Sequence, residues 1–162
     1  MPNLWTPWRL AYLTSDKSAG GCIFCDALAA NDDDKQLVLH RGSRAFVMLN
    51  RYPYANGHLL IAPNDHVGHL SEAEPDAITE VMALATVSEM FLDDAMHPEG
   101  LNLGMNVGRS AGAGVVGHLH LHVVPRWEGD TNYMSVVNDL RVIPERLEDT
   151  YAKLKERFAA LG

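Results

Sequence analysis

Cysteine is nearly absent: Cys22 and Cys25 are the only two in 162 residues. So few thiols exclude a secreted disulfide framework, and the C-x-x-C spacing leaves a metal-gripping pair, a redox dithiol or two unliganded thiols. Long apolar runs are missing too. No stretch approaches the roughly 20 residues that span a bilayer, and the N-terminus lacks the basic start and apolar segment of a signal peptide. These absences predict a soluble, cytoplasmic protein with no membrane partner. Basic charge is also scarce, with 13 Lys and Arg against 21 Asp and Glu for a net charge of −8. The summed field repels polyanions and the scattered cations form no stripe, so a nucleic-acid polymer is a poor partner. A small anion held by backbone N–H groups or imidazolium fits better. There is no internal repeat or low-complexity tract, and the length predicts one domain over residues 1–162 with an aromatic, Pro-interrupted arm over about residues 1–20.

Short segments of strand character follow the cysteines: Leu37 to Arg41, Ala45 to Asn50 and His58 to Ala62. The turn-forming Arg41-Gly42-Ser43 and Pro53 to Gly57 separate them, and such short connections predict antiparallel neighbours. A short helix is expected after the cysteine loop, through Ala30, followed by a solvated acidic turn at Asn31 to Asp34. Ser71 and Glu74 have capping-box spacing and Pro75 suits a first turn. Ile78, Val81, Met82 and Ala85 then recur at helical intervals toward Met96. Leu101 to Val107 and His118 to Arg126 read as two more strands. A last helix after Pro144 carries Leu147, Tyr151, Leu154 and Phe158 on one face. Strands clustered apart from helices predict an α+β fold, an antiparallel sheet of about five strands with one long helix and a C-terminal helix.

The chemistry concentrates in Gly117-His118-Leu119-His120-Leu121-His122-Val123-Val124. Alternation along a strand puts His118, His120 and His122 on one face and Leu119, Leu121 and Val123 on the other, the expected core side. Three imidazoles in a row form an exposed polar ridge suited to a nucleophile, a proton donor or a metal cluster. The stretch from Gly100 to Gly117 holds six glycines. A glycine-rich loop lets backbone N–H groups converge on an anion, although a flexible hairpin has the same composition.

The motif His-φ-His-φ-His-φ-φ, with φ apolar, is met in full by His118 to Val124, and on it the sequence resembles the histidine-triad superfamily of nucleotide hydrolases and transferases. The likeness extends to Asn50-Arg51-Tyr52-Pro53, to Gly57-His58 and to Asn102 to Gly114, which resembles the family's phosphate loop. Leu4 to Arg9 and Pro125-Arg126-Trp127 are similar to the bacterial branch of diadenosine polyphosphate hydrolases and phosphorylases.

The resemblance implies cleavage of dinucleoside polyphosphates or related phosphoanhydrides at the α-phosphorus, through a covalent nucleotidyl-histidine and with no organic cofactor. His120 matches the nucleophile, His122 the residue that binds phosphate and serves the leaving group, and His58 the histidine that orients the triad. Asn50 matches a ribose-binding position, and Asn106 and Gly114 match nucleotide-phosphate contacts. In zinc-bearing members Cys22, Cys25, His66 and His118 would hold a structural Zn²⁺, and the family implies a homodimer. Phosphorylase or adenylyltransferase activity, and a non-catalytic nucleotide sensor, are the alternatives. Arg109 and Arg126 are either distal-phosphate contacts or surface charges, and Trp127 and Tyr133 either pocket walls or packing residues.

Overall fold

The computed structural model describes residues 21–130 and 144–161, so the expected N-terminal arm and Tyr133 lie outside the described residues. Five strands form one sheet: β1 (Val38–Arg41), β2 (Ala45–Leu49), β3 (Leu59–Pro63), β4 (Gly100–Met105) and β5 (Leu121–Arg126). Their order is β1-β2-β3-β5-β4, with every neighbouring pair antiparallel. Among the described residues four α-helices accompany it: α1 (Ile23–Ala29), α2 (Asp33–Gln36), the long α3 (Pro75–Met96) and the C-terminal α4 (Leu147–Phe158). The α+β expectation matches this architecture.

Alternation along β2 and β3 explains the layering. Ala45, Val47, Leu49, Leu59 and Ile61 join Leu121 and Val123 in the main core, under Val81, Leu84, Ala85 and Leu92 of α3 and Tyr151, Leu154 and Phe158 of α4. The intervening residues Phe46, Met48, Leu60 and Ala62 are also buried, in a second apolar cluster with Phe24 and Ala27 of α1. Both faces of the central strands are therefore covered, which a strand with only one apolar side does not predict. His122 lies directly across from Leu60 in the β3–β5 register, so it belongs to this second face.

Several local expectations are corrected. The C-x-x-C segment is helical, with Cys22 at the N-cap of α1 and Cys25 within it. The acidic run is no solvated turn: Asp32 caps α2 by accepting the Lys35 N–H at 3.2 Å, and Asp33 and Asp34 occupy its first turn, where the helix dipole favours negative charge. Ser71 and Glu74 form no capping box. Instead the Glu72 carboxylate accepts the backbone N–H groups of Gly68 and His69, and α3 opens on Pro75. The strand expected over Leu101 to Val107 is present but runs from Gly100 to Met105. His118 and His120 precede β5, whose ladder begins at Leu121.

One side chain anchors the layer over the second face, and one glycine fixes the entry into β3. The Arg41 guanidinium donates to the carbonyls of Ala27, Leu28 and Ala30 at the C-terminus of α1, at 2.8, 2.9 and 3.0 Å, a cation on unpaired helix-end acceptors. Gly57 supplies the tight entry into β3, with φ of +73° and Met96 and Leu92 so close that a Cβ would meet the Met96 sulfur at 2.7 Å.

Candidate functional site

Two clusters meet at the segment leading into β5. Its backbone is pinned by the Leu119 N–H, which donates to the Val67 carbonyl at 2.7 Å and brings the His66 loop alongside. The His118 ring is fully buried and its Nε2–H donates to the Pro63 carbonyl at 2.8 Å. That bond leaves the Nδ1 lone pair turned to the cysteines, 3.2 Å from Cys22 Sγ and 3.6 Å from Cys25 Sγ. His66 Nδ1 is 3.3 Å from Cys25 Sγ, and all four ligand atoms lie within 4.8 Å of one another. A cation bonded to sulfur at about 2.3 Å and nitrogen at about 2.0 Å in tetrahedral geometry spaces its ligand atoms roughly 3.3–3.8 Å apart. The donor set fits such an ion. Burial and the neighbouring Cys22 push the Cys25 thiol up, so two ionised sulfurs here call for a cation between them. Gly117 makes the closure sterically feasible, because a Cβ there would stand 3.1 Å from His66 Nε2.

His120 begins the second cluster. A carbonyl can only accept, so the 2.8 Å contact from His120 Nδ1 to the His118 carbonyl places the proton on Nδ1 and the lone pair on Nε2. The ring is only 4% exposed, which corrects the expectation of an exposed ridge. The cause is Phe24, whose ring centroid is 4.9 Å from those of both His118 and His120. Among the described residues His120 Nε2 has no hydrogen-bond partner.

His122 stands with its ring centroid 4.9 Å from that of His120. Its Nδ1 is 2.9 Å from His58 Nε2, and the direction of that bond follows from the next one. The Tyr54 backbone N–H can only donate, and it reaches His58 Nδ1 at 3.1 Å. His58 therefore carries its proton on Nε2 and donates to His122 Nδ1, which leaves His122 with an N–H at Nε2. Across the β4–β5 ladder His122 faces Gly104, where a Cβ would find nothing within 4 Å. The flank of His122 is thus open to an approaching anion. Burial lowers the His118 and His120 pKa values, and burial together with His120 takes His122 down to about 4. Desolvation of the charged form is the largest cause in each case, so these rings are neutral at pH 7.

The remaining predicted residues are placed unequally. Asn50 is beside the cluster, with Nδ2 3.2 Å from His58 Nδ1 and Oδ1 accepting the Tyr52 N–H at 2.9 Å. A ribose hydroxyl would share those groups. Asn106 is half-buried just past β4, while Gly114 is exposed in the loop beyond a turn at Arg109–Ala111 bounded by Gly108 and Gly112 at positive φ. Arg126 is paired with Asp130 at 2.6 Å and with Asn102 at 2.8 Å, so it is engaged within the protein. The Trp127 indole donates to the His97 carbonyl at the end of α3, a packing role. The three triad rings do not converge on one point, because Nδ1 of His118 faces the cysteines while those of His120 and His122 are engaged by the His118 carbonyl and His58. A metal shared by the triad is therefore unsupported. Phe24 and Tyr54 were not expected at the site, and a lone aromatic carries no local sequence signal for it.

Comparison with known proteins identifies the family and the fold. Residues 31–129 match the HIT domain family. A Mycobacterium tuberculosis protein named AP-4-A phosphorylase is 34% identical over 166 residues, covering 98% of this chain and 85% of that protein. A Zn-bound histidine triad family protein from Mycobacterium smegmatis superposes with a TM-score of 0.68 at 26% identity, covering 87% of this chain and 95% of that one. A hypothetical histidine triad nucleotide-binding protein from Sulfolobus tokodaii gives a TM-score of 0.66 at 27% identity, covering 86% and 93%. With its histidine motif, its five-stranded sheet and a family match over residues 31–129, the chain belongs to the HIT domain family.

Proposed function

We propose that this protein cleaves dinucleoside polyphosphates at an α-phosphorus, with His120 as the nucleophile. The observation that carries the reading is the His120 ring, locked by the His118 carbonyl into the tautomer whose Nε2 lone pair has no hydrogen-bond partner among the described residues. In the first step that lone pair forms an N–P bond while the P–O bond to the leaving nucleotide breaks, and the electron pair departs with the leaving oxygen. The ring keeps its Nδ1–H and becomes cationic, and the His118 carbonyl stabilises that charge. His122 donates a hydrogen bond from Nε2–H to the phosphoryl or leaving oxygen as negative charge grows there. In the second step an acceptor oxygen attacks phosphorus and the N–P electrons return to Nε2. The name of the Mycobacterium tuberculosis relative favours inorganic phosphate as acceptor, with water as the alternative. Asn50, Asn106 and Gly114 are assigned to ribose and phosphate contacts.

Cys22, Cys25, His66 and His118 are assigned a structural Zn²⁺, supported by the donor geometry and by the Zn-bound relative. Such an ion would tie α1 and the His66 loop to the segment bearing His120, and with four protein donors available its role would be structural. Reduced thiolates and a nucleotide substrate both suit the cytoplasm. Among the described residues no helix is long and apolar enough to cross a membrane. A homodimer is assigned to the exposed edge strand β4, where Leu103 faces solvent, together with the exposed Met82 and Met90 of α3.

The reading carries several expected outcomes. Diadenosine tetraphosphate with inorganic phosphate should give ADP plus ATP, and with water alone AMP plus ATP. Two ADP would contradict attack at the α-phosphorus. The His120→Asn variant should lose turnover by roughly a thousandfold or more while still binding AMP. Elemental analysis of protein purified without added zinc should find one Zn per chain, reduced in Cys22→Ser and Cys25→Ser. No metal in the unmodified protein contradicts the assignment. Because burial holds the imidazoles neutral below the usual 6.5, the acidic limb of kcat/KM should lie below pH 6.5, with His122 charging only near 4. A limb at or above 6.5 contradicts it. The sign for stability is the same: the unfolded chain takes up the proton that the folded ring refuses, so stability falls as pH drops from 6.5 toward 4.

A further inference from the structure

The turn between β2 and β3 places an aromatic ring where the reaction proposed above needs order. Tyr54 stacks on His122 with ring planes 18° apart and centroids 5.9 Å apart, and lies 4.6 Å from the His58 ring at 41°. Its own side is 47% exposed, while His58 beneath it is completely buried. The ring thus forms the outer wall over the His58–His122 hydrogen bond, and the backbone N–H of the same residue sets the tautomer of His58.

We infer that Tyr54 is a positioning residue for His122, its aromatic ring shielding the His58–His122 bond and so keeping the proton of His122 on Nε2. The alternative tautomer is costly for the chemistry. If water replaces His58 as the partner of His122 Nδ1, that nitrogen is free to take the proton, and Nε2 then presents a lone pair to the phosphate oxygens. The donor at the leaving-group side becomes a repulsive acceptor. No group in direct contact with substrate is lost in that event; one hydrogen has moved across a ring. The backbone N–H at position 54 survives any ordinary substitution, so what a variant removes is the ring alone. The hydroxyl plays no part in stacking, and phenylalanine should serve as well.

This inference rests on the proposed reaction for its kinetic consequence but not for its structural one, and the test separates them. Imidazole ¹H–¹⁵N spectra of the full chain report which nitrogen of His122 carries the proton. In the unmodified protein and in Tyr54→Phe, His122 should be the Nε2–H tautomer. In Tyr54→Ala and Tyr54→Leu its nitrogen shifts should move toward a mixture, while those of His120, held by the His118 carbonyl, stay in place. Turnover of diadenosine tetraphosphate should fall about tenfold to a hundredfold in the Ala and Leu variants, in kcat and with AMP affinity little changed. An unchanged His122 tautomer in both of these variants overturns the inference. So does Tyr54→Phe behaving like Tyr54→Ala, which would assign the effect to the hydroxyl. Should the unmodified protein cleave no nucleotide at all, the proposed reaction fails and the tautomer comparison still decides the role of Tyr54. The unchanged His120 signal is the control for folding, and the Leu variant keeps the apolar bulk if Ala loosens the turn.

Discussion

The His118 carbonyl accepts the Nδ1–H of His120 at 2.8 Å, and that single hydrogen bond decides which nitrogen of the central histidine is chemically available. The bond depends on the backbone around it. The Leu119 N–H is held by Val67, and the His118 ring is held by Pro63 on one side and faces the cysteines on the other. His118 therefore couples a candidate metal centre to a candidate nucleophile, the first through its side chain and the second through its main chain. A metal at the four donors would act on the reaction only by fixing this geometry. That is the division of labour expected of a closed structural site.

Burial supplies the second constraint. A chain with net charge −8 has no surplus of cations for an anionic substrate, and burial keeps the imidazoles of His120 and His122 neutral. Attraction by imidazolium at these two rings is thus unavailable at neutral pH. What remains is a row of oriented N–H donors and one oriented lone pair, fixed through the tautomers of His118, His58, His122 and His120. Preorganised dipoles of this kind cost no reorganisation when charge shifts from phosphorus to the leaving oxygen. The open flank beside Gly104 lets the phosphate reach them.

Much of this was legible from residue order. Alternation placed Leu121 and Val123 in the main core and His122 opposite them, and the helical spacing from Ile78 to Ala85 belongs to α3 as expected. The zinc donors came from family likeness, and the structure brings all four together. The burial of the ridge was not legible. It requires knowing that Phe46, Met48, Leu60 and Ala62 need a cover on the histidine side, and that α1 turns Phe24 onto it. Such cover is a long-range contact with no local period. Tyr54 looked like an ordinary turn residue for the same reason, because its partners are 4 and 68 residues away along the chain. The acidic run misled for a different reason: Asp32 reads equally as a solvated charge or a cap until Lys35 N–H is seen on it.

Covalent chemistry at His120 is the claim on which the account stands. The most direct measurement is the intact mass of the protein mixed with diadenosine tetraphosphate in the absence of inorganic phosphate and quenched rapidly in base, where phosphoramidates survive. A gain of one adenylyl group that maps to the peptide containing His120 is the predicted result. Turnover with no adduct at any time, or an adduct on a different residue, would contradict it.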